Sequence, residues 1–269
     1  MELEEKPSLP NREDHPAILA LGVEFWNQWR QEHPGTKPDL KKIVLEDAFL
    51  VKADLANANL RKASLRRANL FRANLSEAGI VEAYLEEADL FRADLRGADL
   101  RRAILKHAEL LEASLDTANL REASLAEAYL RRATLRKANL RKANLRSADL
   151  REVDLSQANL QEARLWMADL RRASLVHADL REAHLMRANL EDADLTKANL
   201  LGARQIRVEQ LADVKSLHGC RLDGKLLDHM MANFPWLFDE PLQDDEEPAA
   251  SAHPLDGPDH ESPRSRPPQ

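Results

Sequence analysis

A repeat of five residues constrains the fold of this chain more than any other feature. Leucine stands at every fifth position from Leu40 to Leu200, and Ile80 is its one substitute. From Ala48 to Ala203, alanine stands two residues before that position, with Val153 as the one departure. The residue between them is mostly Asn, Asp, Ser or Thr, and the two that follow are mostly charged. A period this regular has to be explained before any single residue.

A period of five suits neither regular element of secondary structure. On an α-helix five residues advance by about 140°, so successive leucines would spread around the whole circumference. On a flat strand, an odd period sends each successive leucine to the opposite face. A chain that stays extended for three residues and then turns a corner can point every alanine and leucine toward one axis. The sequence therefore predicts an all-β solenoid, with the short polar residue outside and bonded to turn backbone.

The repeat resembles that of the pentapeptide-repeat family, whose consensus is Ala-Asp/Asn-Leu-x-x. Residues 138–142 read Ala-Asn-Leu-Arg-Lys, and residues 143–147 read Ala-Asn-Leu-Arg-Ser. The resemblance implies a right-handed quadrilateral β-helix with four repeats in each coil, although the period alone does not choose four sides over three. About thirty-two repeats would make about eight coils, in a rod about 38 Å long. A twenty-residue spacing of outer apolar residues agrees with four sides: Val51, Phe71, Phe91 and Leu111.

Both ends of the array are predicted to be covered by short α-helices. Apolar residues at helical spacing indicate one helix from Pro16 to His33, which resembles the helical leader of some bacterial arrays. After the repeats, Ile206–Leu217 and Lys225–Phe234 are also predicted helices, and Asp223 is an N-cap candidate for the second. A solenoid needs such caps because its terminal coils expose open backbone. The predicted divisions are a mobile leader over 1–14, an N-terminal helical cap over 15–39, the β-helix over 40–205, a C-terminal helical cap with one degenerate repeat over 206–238, and a disordered acidic, Pro-rich tail over 239–269.

Composition argues against an enzyme and against a cofactor or metal site. The chain has a single cysteine, Cys220, and its nine histidines are scattered without the spacing of a zinc motif. It also lacks a nucleophile elbow and a glycine-rich phosphate loop. One cysteine, no signal peptide and no apolar run of membrane-spanning length favour a cytoplasmic protein without a small-molecule substrate.

Two exterior features are candidate contact surfaces. Stacked coils turn residues twenty apart into a ladder, and one ladder passes from apolar to basic: Val51, Phe71, Phe91, Leu111, Arg131, Arg151 and Arg171. It is either a protein-binding strip or a surface covered by a terminal segment of the same chain. The second feature lies near the C-terminus, where apolar residues serve either the cap alone, in a monomer, or a homodimer contact: Leu226, Met230, Met231, Phe234 and Trp236.

These surfaces lead to a scaffold hypothesis, in which a rigid rod binds an unknown protein partner along one side. The family resemblance offers an alternative, because some members mimic B-form DNA, bind DNA gyrase or topoisomerase IV and protect it from topoisomerase poisons. That mimicry needs an acidic exterior, whereas the outward positions here carry many arginines. The net charge is −7, but the excess of acidic residues lies at the ends of the chain. Direct nucleic-acid binding through arginine ladders is a second alternative, against which the interleaved glutamates argue.

Overall fold

Four short α-helices and one 3-10 helix flank a long array of coils. A computed structural model of the protein describes residues 14–240, so the predicted leader and tail lie almost wholly outside the described residues. Helices α1 (His15–Ala20) and α2 (Val23–Glu32) precede the array, whereas α3 (Val208–Ala212), α4 (Gly224–Asn233) and a 3-10 helix (Pro235–Phe238) follow it. The single helix predicted from Pro16 to His33 is wrong, because the chain breaks at Gly22. Its φ of 106° is a conformation that a side chain disfavours.

Parallel backbone bridges join residues twenty apart along the whole array, from Asp39 with Asn59 to His184 with Arg204. Because one coil therefore takes four five-residue repeats, the coil has four sides. Each side is a short extended piece: the Leu40 N–H donates to the Asn59 carbonyl, and the Asn59 N–H donates to the Pro38 carbonyl. The array from Asp39 to Ala198 amounts to about eight coils.

Leucine and alanine fill the interior, as the sequence predicts. From Leu50 to Leu200 every repeat leucine and alanine, with Ile80 and Val153, is at most 3% exposed. Burial of one leucine side chain contributes roughly 1.5–3 kcal/mol. A column of such residues therefore explains how a chain with few aromatic residues sustains a continuous core.

The corners explain the rest of the repeat. Each corner is a four-residue turn closed by an alanine N–H that donates to the carbonyl of the preceding leucine, as from Ala143 to Leu140. The second corner residue has positive φ throughout, for example 60° at Lys142, a left-handed conformation to which the rigid frame holds the chain. The Asn or Asp before the corner stabilises it, because the Asn139 side-chain oxygen accepts a hydrogen bond from the Arg141 N–H. The predicted turn role of these residues is confirmed.

Helix α2 lies against one side of the first coil. The Trp26 indole N–H donates to the Asp54 carbonyl at 2.8 Å, and the Asn27 amide oxygen accepts from the Asp54 N–H at 2.8 Å. Arg30 is 5% exposed, and its guanidinium donates to the carbonyls of Thr36 at 2.7 Å and Ala56 at 2.9 Å. These bonds satisfy backbone groups that a preceding coil would otherwise hold.

At the other end, an irregular segment continues the coil after the repeat register is lost. Ser216 bridges Asp194, and Arg221 bridges Asn199. Asp223 stands at the N-cap of α4, but its carboxylate accepts from the Gly202 N–H instead of capping the helix. Cys220 occupies a small inward position, 9% exposed, and burial raises the pKa of its thiol to about 12.

Candidate protein-binding surface

The residues from Val51 to Arg171 that the sequence places on one ladder do lie along one corner of the rod, a feature called here the corner ladder. Its members each stand directly after a repeat leucine, and they are half-buried because each side chain packs against the next coil: Val51, Phe71, Phe91, Leu111, Arg131, Arg151 and Arg171. The four-sided coil therefore brings together residues that are far apart in sequence.

The apolar half of the corner ladder is centred on an aromatic pair. The rings of Phe71 and Phe91 lie 5.6 Å apart, centre to centre, at an angle of 41°. The Arg72 guanidinium lies 5.2 Å from the Phe71 ring and the Arg92 guanidinium 5.0 Å from the Phe91 ring. Each ring is thus held by a neighbour and a cation, and its remaining surface is open.

The basic half of the corner ladder is paired within the chain. Arg131 donates to Glu152 at 2.6 Å, Arg151 to Asp149 at 2.6 Å, and Arg171 to Asp169 at 2.7 Å. The hydrogen bond from Arg151 holds the pKa of the Asp149 carboxyl below its usual value. The arginine charges are therefore largely balanced before any partner arrives, so this half is not a free basic strip.

Acid should destabilise the protein at pH values just below the ordinary carboxyl pKa. Hydrogen bonds from Arg96 and Arg151 lower the pKa of Asp94 and Asp149 in the folded chain. The folded chain therefore binds fewer protons than the unfolded chain, and the resulting stability is complete above about pH 4 and lost as pH falls through the folded pKa values. We expect the midpoint temperature of thermal unfolding to decrease once the pH is lowered below about 4, and to decrease less in the variant Asp149→Asn/Arg151→Gln. A midpoint that stays level to about pH 3 would contradict this expectation.

The C-terminal candidates divide into buried and exposed residues. Met230 is fully buried within the chain, so it packs the core and is not available for a contact between copies. Met231 is 52% exposed and Trp236 is 60% exposed, while Leu226 and Phe234 are half-buried. The Phe234 and Trp236 rings meet edge to face at 5.6 Å. The exposed part of this surface is therefore Met231 with Trp236.

The most exposed large apolar side chains were missed as site candidates. Val44 is 72% exposed and Phe49 is 73% exposed, both on the first coil. Each stands where the repeat elsewhere favours Asn, Asp or Ser, and that misfit with the consensus was the available signal.

Two kinds of site are missing from the part of the chain that the structure describes. No group of three or more His, Cys, Asp or Glu residues in residues 14–240 is arranged to hold a metal ion. None of the helices in that range is long and apolar enough to cross a membrane.

The fold and its repeating exterior define a class of protein, the four-sided repeat solenoid. The family model for pentapeptide repeats matches in eight copies, over residues 39–76, 68–106, 83–121, 113–151, 138–175 and 173–204. The chain belongs to the pentapeptide repeat family. Its relatives imply that the four-sided β-helix is right-handed, and proteins of this family are in general non-enzymatic scaffolds.

Several solved structures are similar to the chain. HetL, a pentapeptide repeat protein involved in regulating heterocyst differentiation in the cyanobacterium Nostoc sp. strain PCC 7120, is 37% identical; the match covers 72% of this chain and 89% of HetL, with a TM-score of 0.58. A pentapeptide repeat protein of the Arabidopsis thaliana thylakoid lumen is 27% identical over 51% of this chain and 90% of its own, with a TM-score of 0.32. QnrB1, a plasmid-mediated fluoroquinolone resistance protein, is 18% identical over 63% of this chain and 95% of its own, with a TM-score of 0.28. No curated protein matches the chain.

Proposed function

We propose that this protein is a non-enzymatic scaffold that binds a protein partner along the corner ladder. The observation that carries the proposal is the tilted Phe71–Phe91 ring pair, half-buried on a rigid frame. Neighbouring Val51 and Leu111 extend the apolar strip, and contiguous apolar surface of this kind marks contact sites. HetL, which is similar over most of its length, is described as a regulatory protein, and binding without catalysis is consistent with such a role.

The pair has the character of an interface anchor. Aromatic side chains that are already fixed by packing lose little conformational freedom when a partner binds, so more of the burial energy is retained. Arg72 and Arg92 beside the rings supply the charged rim that surrounds such anchors. The partner expected on this surface therefore packs an apolar group against the outer faces of the phenylalanine rings and places a carboxylate near Arg72, because Arg92 is already paired with Glu112.

Replacement of both phenylalanines should abolish partner binding. In Phe71→Glu/Phe91→Glu two carboxylates replace the anchor, and we expect the amount of captured partner to fall about tenfold or more. Affinity capture with the full chain, quantified by mass spectrometry, measures this. The matched control is Val81→Glu/Val176→Glu, which changes half-buried valines that follow the core residues Ile80 and Leu175 at two other corners. Partners and oligomeric state that stay unchanged in the phenylalanine variant would contradict the proposal.

Binding to DNA gyrase, the alternative function, is less well supported than the scaffold function. A DNA mimic needs a continuous acidic exterior, whereas here acids and arginines alternate in ion pairs such as Arg92–Glu112 at 2.6 Å and Arg136–Asp116 at 2.6 Å. We expect micromolar protein to leave DNA gyrase supercoiling unchanged, with or without a quinolone. Inhibition of supercoiling, or protection from the drug, would favour the alternative over the scaffold proposal.

Direct nucleic-acid binding is also weakened by the pairing of the arginines. Binding to phosphates requires cations free to replace counterions, and Arg131, Arg151 and Arg171 already contact carboxylates. Arg61 and Arg102 also form ion pairs, with Glu82 and Glu122 respectively.

The division of the chain remains part of the proposal. We propose that residues 15–39 and 206–238 cap a β-helix over 40–205, supported by the bonds from Arg30 to the Ala56 carbonyl and from Gln210 to the Leu185 and Ala188 carbonyls. A homodimer contact through Met231 and Trp236 is proposed as secondary to the corner ladder, because that exposed surface is small.

A further inference from the structure

The first coil presents an open backbone edge toward the N-terminus. In the interior, the middle residue of each side donates to one carbonyl of the preceding coil and accepts from one of its N–H groups, as Asn59 does with Pro38 and Leu40. The first coil has no coil before it. Its four middle residues therefore direct an N–H and a carbonyl away from the array: Asp39, Val44, Phe49 and Asp54.

Of these four sides, that of Asp54 is fully bonded, that of Asp39 is bonded at its N–H alone among residues 14–240, and the other two are unbonded within that range. The Asp54 N–H and carbonyl are bonded by Asn27 and Trp26, and the Asp39 N–H donates to the His15 Nδ1 at 3.2 Å. The backbone N–H and carbonyl groups of Val44 and Phe49 make no hydrogen bond with residues 14–240, and both side chains are more than 70% exposed. These two adjacent sides are called here the open edge. An unpaired row of backbone groups beside apolar side chains is a template for strand addition.

The opposite end shows what such an edge accepts. There an irregular segment completes the last coil: the Asp192 N–H donates to the Asp213 carbonyl, and the Lys215 N–H donates to the Ala193 carbonyl. A regular repeat is therefore not required for pairing. Because α2 lies over the Asp54 side, a second complete coil cannot stack flat on the N-terminal end. The chain turns a corner between Val44 and Phe49, closed by the Ala48 N–H that donates to the Leu45 carbonyl, so a segment that pairs with both sides has to turn there as well.

The charge around the open edge selects the occupant. Lys41 and Lys42 are exposed and form no ion pair among the described residues. The neighbouring acids are already engaged, since Glu46 accepts from Ser64 at 2.6 Å and Asp47 from Arg67 at 2.7 Å. The hydrogen bond from Ser64 lowers the pKa of Glu46, and the one from Arg67 lowers the pKa of Asp47, so both stay ionised and paired. Asp39 also has no ion pair among the described residues, and its carboxylate accepts from the Asn59 amide at 2.9 Å. Two lysines beside this one carboxylate leave the local balance basic.

We propose that the open edge binds an acidic peptide segment of a partner protein by β-strand addition, with the segment extended along each of the two sides and bent at the corner between them. The backbone groups of Val44 and Phe49 hold the strand, their side chains cover its apolar residues, and Lys41 and Lys42 face its carboxylates. This site is separate from the corner ladder, so it stands or falls independently of that surface.

Amide hydrogen exchange on the full chain tests the proposal. The probes are two blocked heptapeptides, one alternating Glu with Val and the other alternating Lys with Val. The Glu peptide should slow exchange at Val44 and Phe49 by about tenfold or more, leave Asp54 unchanged, and have no effect on Lys41→Glu/Lys42→Glu. The Lys peptide should have no effect on the native chain.

Three outcomes would overturn the proposal. The first is no slowing with the Glu peptide, and the second is equal slowing with the Lys peptide. The third is protection of Val44 and Phe49 equal to that of Asp54 before any peptide is added, because the edge would then already be occupied. In that case, concentration-dependent protection would identify a second copy as the occupant, and concentration-independent protection would identify a segment of the same chain, from residues 1–13 or 241–269.

Discussion

Leu140→Asp should cost about 5 kcal/mol or more of unfolding free energy and disrupt the coils on either side of it. Leu140 is fully buried in the middle of the column. The substitution loses roughly 1.5–3 kcal/mol of apolar burial and places an unpaired carboxylate in an apolar interior, which costs several kcal/mol more. Because coils are stabilised by their neighbours, the loss should spread along the rod. Urea unfolding followed by circular dichroism measures the change.

The adjacent residue provides the control. Arg141 is an exposed partner of Glu162, at 2.8 Å, and an exposed pair of this kind contributes about 0–1 kcal/mol. Arg141→Ala should therefore unfold at nearly the same urea concentration as the native chain. Equal losses in the two variants would mean that the two positions do not differ in burial, and the inward column would be wrong.

Arg30→Met should release the N-terminal helices and cost about 3–5 kcal/mol, the usual effect of removing one partner from a buried charged network. The substitution keeps the apolar volume of the side chain but deprives the carbonyls of Thr36 and Ala56, and the Asp54 carboxylate, of their donor. Buried acceptors without a donor carry the full cost of their desolvation. The expected signs are a lower unfolding midpoint and faster amide exchange in α2.

Arg131→Met is the matched control, because it makes the same substitution at an arginine whose partner, Glu152, is at the surface. We expect a loss of less than about 1 kcal/mol from that variant. If Arg30→Met changed the midpoint no more than Arg131→Met does, α2 would not stabilise the first coil in the way its hydrogen bonds indicate.

The interior was predictable from the sequence, and the ends were not. Leucines five apart can share one interior only if the chain turns at every repeat, so position along the chain decides burial for residues such as Leu140. The number of sides was established by the backbone bridges between residues twenty apart, because the period of five is compatible with other numbers of sides. The five-residue pattern was therefore sufficient to predict which residues are buried, but not how many repeats form one coil.

At the ends, hydrogen bonds between distant residues decided the outcome. Helical spacing predicted one helix, but the chain breaks at Gly22 and forms two. Its residue type predicted that Asp223 caps a helix, but its carboxylate accepts a hydrogen bond from the Gly202 N–H. The burial of Met230 and the exposure of Phe49 likewise depend on which coil or helix covers them. The corner ladder was found from the sequence because it follows the repeat, and the open edge was missed because it lies where the repeat begins.

Distances between spin labels at one corner of the rod test most directly whether the chain is a four-sided coil. In a Cys220→Ala background, cysteines at Lys62 and Arg102 are two coils apart, and cysteines at Lys62 and Lys142 are four coils apart. At about 4.8 Å per coil, the second backbone distance should be about 19 Å, roughly 10 Å longer than the first. A backbone separation of about 26 Å or more for Lys62 and Lys142, the value expected of three-sided coils of fifteen residues, or no regular increase between the two pairs, would contradict the four-sided coil.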